Sequence, residues 1–284
     1  MQIKKQLFSP TSAMILFVLL WGSAAIFTRW GLDNASVFLL LLWRYGVAFV
    51  VLLLLAFRTK EWLPEKGTRF YVLSTGALLI GAYSICYFQA MKYGVTPGIL
   101  ATLLGVQPIL TLFLSERHYP PLRIIGLLLA FAGLVLIVFK GIDPATMSML
   151  GIWYAIGALL CITVGTLMQK RIAQKPQRIL PLQYAITIVI CLLFLPTEEI
   201  YSTFSLGFWV PALWLGIVIS VIAQLLLYHL IRTGNLVNIT SLFYLVPIVT
   251  AILDYLILGN MMSLMAIIGM ILIIAGIMLV FKRR

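Results

Sequence analysis

Arg44 is the lone charge in the apolar stretch from Ala35 to Phe57. A cation in hydrocarbon costs on the order of 3 kcal/mol by insertion scales, so this side chain should face a bundle interior or a wet cavity. A guanidinium there can bind an anionic substrate group through its planar fork, or brace helices by donating to backbone carbonyls. Uncharged groups sit at comparable depth. Gln107, Asn238, Thr240 and Tyr244 flank two mid-span prolines, Pro108 and Pro247, and Gln183 precedes Tyr184 as Arg44 precedes Tyr45. Gln224 and Tyr228 are four residues apart and share a helical face, as do Tyr83 and Tyr87, while Gln89 lies near the end of the latter span. Tyrosines at these depths either line a cavity or anchor at the membrane interface. Asp254 is the sole acid within a span, either a proton- or cation-coupling group or an interfacial carboxylate in contact with water.

These residue types bind; they do not form a catalytic constellation. The histidines, His118 and His229, belong to no His-Glu-x-x-His pattern, and there is neither a Gly-x-Ser-x-Gly elbow nor a phosphate-cradling loop. Cys86, Cys161 and Cys191 have no metal-ligand or disulfide spacing. No enzyme activity, cofactor or metal is expected.

The elements that must position these groups are membrane helices. With 63% hydrophobic and 10% charged residues and a mean hydropathy of +1.11, no water-soluble core could bury this chain. Apolar runs near the ~20 residues a bilayer requires predict ten spans. They fall near 12–30, 35–57, 70–91, 95–115, 120–139, 149–169, 179–196, 207–231, 236–258 and 262–281. Lys4 and Lys5 before the first run, with Ser23-Ala24-Ala25 behind it, resemble a signal peptide; with nine spans following, the segment reads as a retained first helix.

The net charge of +12 reflects topology rather than nucleic-acid binding. With both termini in the cytoplasm, sixteen lysines and arginines fall on the inner side and only Arg29, Lys92 and Lys140 on the outer, with Arg44 inside a span. This bias follows the positive-inside rule and requires an even number of crossings.

One segment occurs twice. Ala90-Met91-Lys92-Tyr93-Gly94 leads through an apolar stretch to Pro108-Ile109-Leu110-Thr111, and Leu230-Ile231-Arg232-Thr233-Gly234 leads to Pro247-Ile248-Val249-Thr250. Gly126 and Gly133 recur as Gly269 and Gly276, both shifted by 143 positions, on helical faces suited to close packing. Two repeats are expected, residues 1–143 and 144–284. Five spans in each force the second to enter the membrane from the opposite side. Such inverted repeats place substrate sites near the midplane between the halves and support alternating access. Pro108 and Pro247 each remove a backbone hydrogen bond mid-span, which suits either a gating kink or a structural one.

In order, Trp21-Gly22-Ser23, Arg44-Tyr45 with Ala48, the Gly94 to Pro108 segment, Glu116 and the Gly126/Gly133 helix, repeated by Gly234, Pro247, Gly269 and Gly276, resemble the drug/metabolite transporter superfamily in its ten-span EamA branch. Asn260 stands where the second repeat of that branch usually carries a glutamate. The resemblance implies an all-α bundle in which spans 1 to 4 and 6 to 9 surround a cavity and spans 5 and 10 pack at the side. It also implies export or exchange of small metabolites, often amino acids.

The expectation is therefore a multi-pass transporter of the bacterial cytoplasmic membrane, monomeric or homodimeric, with membrane lipid and a small polar or zwitterionic solute as its partners. Sugar-phosphate or nucleotide-sugar exchange, or drug exchange, is the alternative; anionic cargoes of that size would favour several intramembrane cations, and one is present. A scaffold or lipid-modifying enzyme fits less well.

Overall fold

The computed structural model describes residues 10–59, 63–117, 120–138, 148–258 and 263–282; the side chains of residues 10, 11, 59 and 253–258 are outside the description. The chain is almost wholly helical. We number the helices α1 (Pro10–Leu32), α2 (Val37–Thr59), α3 (Arg69–Lys92), α4 (Pro97–Ser115), α5 (Pro121–Val138), α6 (Met149–Lys170), α7 (Pro176–Phe194), α8 (Leu206–Thr233), α9 (236–258) and α10 (Leu264–Phe281). Among the described residues, nine are long and apolar enough to cross a bilayer. The remaining one, α9, is apolar over Leu236–Ile252 and occupies the position expected for a span. Leu19, Val50, Leu54, Leu128 and Ile271 stand exposed on the outer faces, as a hydrocarbon solvent requires.

Both prolines sit just after a break. In α4, regular helix stops at Leu104 and resumes at Gln107. In α9, a short 3-10 turn, Leu242–Leu245, separates two α-helical pieces. A second matched irregularity was invisible in the sequence: α3 widens into π-helix over Ala77–Ala82 and α8 over Trp214–Ala223. Gly76 immediately precedes the first stretch and Gly216 lies near the start of the second; the two glycines are in register, each 18 residues before Gly94 or Gly234. Such widened turns occur often at functional sites.

The halves are packed as inverted copies. α5 and α10 run antiparallel, with Gly126 against Gly276 and Gly133 against Gly269; a Cβ on Gly133 would stand 2.5 Å from the Gly269 carbonyl oxygen, and the reverse approach is also 2.5 Å. Each glycine therefore meets the counterpart of the other, as a two-fold relation demands. The pattern repeats elsewhere. A Cβ on Gly76 would be 2.6 Å from Gln183 Cβ, and one on Gly216 would be 3.0 Å from the Arg44 carbonyl oxygen. Gln183 and Arg44 thus occupy equivalent places under equivalent glycines. Tyr45 and Tyr184, one residue further on, stack on each other with ring centroids 5.4 Å apart.

Candidate functional site

A cavity of about 590 Å³ lies between the halves. Its wall takes Trp21, Ala24 and Thr28 from α1, Arg44 and Tyr45 from α2, and Tyr83, Ser84, Tyr87 and Phe88 from α3. Thr96, Gly105 and Gln107 of α4, Thr166 of α6, Gln224 of α8, and Thr240, Phe243, Pro247 and Thr250 of α9 complete it. The lining runs from mid-bundle toward the end that carries Lys92, reaching Thr96 and Pro97 at the start of α4 and Val138 at the end of α5.

Arg44 sits in this wall because α2 turns it inward beside the widened part of α8. Its Nε donates to Ser220 Oγ at 2.8 Å, and its Cζ lies 5.1 Å from the Tyr45 ring centroid and 5.8 Å from that of Phe88. Aromatic faces at this range attract a cation. Among the described residues, neither terminal nitrogen of the guanidinium has a hydrogen-bond partner. The fork is held from behind and its two outer donors stay available to a ligand. Tyr45 and Tyr184, whose rings flank this region, are tied by hydrogen bonds, Tyr45 with the Ser84 hydroxyl and Tyr184 to the Ser220 carbonyl.

Of the residues singled out in the sequence, the structure brings Arg44, Gln107, Gln224, Thr240, Tyr83, Tyr87 and Pro247 to the cavity wall. Tyr83 and Tyr87 stand 5.8 Å apart, and Gln107 Nε2 donates to Thr166 Oγ1 at 3.4 Å. The others lie elsewhere. Gln183 is buried behind the wall, donating to Gln169 Oε1 at 3.1 Å. Gln89, Tyr228 and Pro108 are buried outside the cavity. Tyr244 donates to the Gly105 carbonyl at 2.6 Å, and Asn238 accepts from Arg123. Asp254 lies on α9, but its side chain is outside the described residues, as are Asn260 and Lys140.

Two features escaped the sequence reading. Ser220 is the sole hydroxyl in the run from Leu206 to Ala223, and that isolation was the available signal. The other is a charged cluster at the end opposite Lys92, the end that carries Arg232. Arg123 Nη1 lies 2.6 and 2.7 Å from the two Glu116 oxygens, its Nη2 donates to Asn235 Oδ1 at 2.7 Å and to Asn238 Oδ1, and Asn235 Nδ2 donates to Glu116 Oε1 at 2.9 Å. The cluster ties α4 and α5 of the first half to the start of α9 in the second. Nearby, Lys170 Nζ donates to the carbonyls of Ile231 and Gly234 at 2.7 and 2.6 Å. The cavity's floor is thus fastened at the Arg232 end.

An inverted pair of five-helix units around a midplane cavity defines a membrane transporter. The EamA-like transporter family profile matches residues 10–139 and 149–282, and the chain belongs to that family. It is 26% identical over 287 residues to an uncharacterized transporter of Archaeoglobus fulgidus, covering 95% of this chain and 96% of the relative. It is 23% identical to the uncharacterized transporter YyaM of Bacillus subtilis, covering 83% and 81%. A solved crystal structure with 20% identity superposes with a TM-score of 0.80 over 96% of this chain and 98% of the other, which shows the shared fold.

Proposed function

We propose that this transporter carries a small metabolite with a carboxylate, polar or zwitterionic and amino-acid-like, out of the cell across the bacterial cytoplasmic membrane by alternating access. The observation that carries the reading is Arg44: a guanidinium in the cavity wall with Nε anchored on Ser220 and, among the described residues, no hydrogen-bond partner on either terminal nitrogen. A planar fork of this kind pairs bidentately with a carboxylate. Gln107, Gln224, Thr166 and Thr240 then supply hydrogen bonds to the rest of the solute, and Tyr83, Tyr87, Phe88 and Phe243 its apolar contacts. In the described wall Arg44 is the single cation, which favours one carboxylate over a phosphodiester or diphosphate. If the termini are cytoplasmic, the cavity faces outward and its fastened floor faces the cell.

Counterflow in proteoliposomes tests the reading. Purified protein is loaded with an unlabelled panel of amino acids and simple carboxylates, and labelled solute is added outside. Saturable counterflow of at least one carboxylate-bearing solute, absent from protein-free vesicles, is expected. Counterflow of amines or sugars with none of any carboxylate would overturn the cargo class.

A further inference from the structure

Below the cavity floor, toward the Arg232 end, buried polar groups continue where a merely structural seal needs only apolar ones. Gln107 and Thr166 form the floor. One turn further along the same helices come Thr111 and Gln169, and Gln169 accepts from Gln183. Thr111 and Gln183 are both 0% exposed, and among the described residues Thr111 Oγ1 and Gln183 Oε1 have no hydrogen-bond partner. An unpaired buried oxygen destabilises the state that holds it, a penalty that an alternative arrangement can relieve.

The repeat identifies that arrangement. Thr111 lies three residues after Pro108, as Thr250 lies three after Pro247. Gln183 is the counterpart of Arg44. Asn235 caps the start of α9 as Thr96 caps the start of α4, each twelve residues before its proline. Thr250, Arg44 and Thr96 all line the open cavity, whereas Thr111, Gln183 and Asn235 all lie outside it, toward or at the fastened end. Exchanging the conformations of two inverted repeats exposes the second set as it seals the first.

We infer that Thr111, Gln169 and Gln183 form a second solute-contact surface, which takes the carboxylate and polar groups of the cargo when the protein opens at the Arg232 end, and that the Arg123–Glu116–Asn235–Asn238 cluster is the cover over it. The inference rests on the alternating-access reading above. On this surface the cargo meets amides and a hydroxyl in place of a guanidinium. Its carboxylate is held less strongly there than at Arg44, so the two openings differ in affinity for the same solute.

The test is thiol accessibility in membrane vesicles of both orientations, in a background with Cys86, Cys161 and Cys191 replaced by alanine. T111C and T250C are labelled with a membrane-impermeant maleimide, each with and without Arg123→Gln. With Arg123 intact, T250C should react from the Lys92 side and T111C should be protected. Arg123→Gln should raise T111C labelling from the Arg232 side by about tenfold or more and lower T250C labelling, a shift of the two-state equilibrium. If Arg123→Gln lowers T250C labelling while T111C stays protected, alternation stands and this surface is wrong. If both cysteines react from the same side with or without the change, the alternating-access reading itself fails. A retained thermal shift of Arg123→Gln protein with the amino acid or simple carboxylate that gives the strongest counterflow shows that the variant is folded; adding Gln183→Ala should then weaken binding of that same solute severalfold, and unchanged binding would contradict the contact role.

Discussion

Tyr244 and Gly105 occupy equivalent positions in the two copies of the repeat, each three residues before its proline, and they bond to each other: the Tyr244 hydroxyl donates to the Gly105 carbonyl at 2.6 Å. Both lie where their helices are broken. One break thereby satisfies a backbone acceptor exposed by the other, which explains how two interrupted helices coexist inside hydrocarbon. Residues that touch their own counterparts must lie near the two-fold axis. Tyr45 with Tyr184 and the α5–α10 glycines mark the same axis.

Tyr244→Phe should therefore destabilise the fold by about 1–3 kcal/mol, because it leaves the buried Gly105 oxygen without this donor. Thermal unfolding in detergent, compared with a Tyr93→Phe control at an exposed residue whose hydroxyl has no hydrogen-bond partner among the described residues, would show it. Equal melting temperatures for the two variants would mean that another donor serves the break.

Gly133→Ala should cost about 1–3 kcal/mol by overpacking, since its methyl would press on the Gly269 carbonyl at 2.5 Å, while Gly46→Ala, with nothing within 4 Å, should leave stability unchanged or higher. A matched loss at both positions would argue against close packing of α5 on α10 as the cause.

Ser220 acts through Arg44 and is a positioning residue. Ser220→Ala should weaken cargo affinity about tenfold, the loss of one charge-assisted hydrogen bond, with the maximal transport rate largely kept. Ser220→Thr, which retains the hydroxyl, should restore affinity. A fall in rate at constant affinity would assign Ser220 to the moving parts instead.

Orientation follows from the distribution of lysine and arginine. Green fluorescent protein fused after Arg284 should fluoresce, and alkaline phosphatase inserted after Tyr93 should be active. The reverse pair of results would invert the membrane topology and turn the open cavity toward the cytoplasm.

The span pattern and the repeat were legible because a bilayer imposes length and charge rules on every helix, and because Gly94 to Pro108 and Gly234 to Pro247 kept their spacing. The prolines marked the breaks to within a few residues for the same reason: a missing N–H is a local property. The π-helical stretches were not legible, since Ala77–Ala82 and Trp214–Ala223 are composed of ordinary apolar residues and owe their shape to packing. Arg44 announced itself by its charge. Its partner Ser220, 176 positions away, did not, because which hydroxyl meets which guanidinium is decided by how α2 packs on α8. The Arg123 cluster was hidden likewise: each of its members reads locally as an ordinary polar residue of a helix end. Tyr244 and Asn238 were placed at the right depth near the proline, but helical phase turned them away from the cavity.

A guanidinium that holds the cargo's carboxylate makes transport depend on the charge and shape of residue 44. Counterflow of the best carboxylate solute should be measured in proteoliposomes for the wild type, Arg44→Lys and Arg44→Gln, with folding verified by melting temperature. Arg44→Lys should lose about tenfold in affinity, since a point charge replaces the bidentate fork, and Arg44→Gln should lose on the order of a hundredfold or more. Undiminished affinity and rate in a folded Arg44→Gln protein would contradict the account.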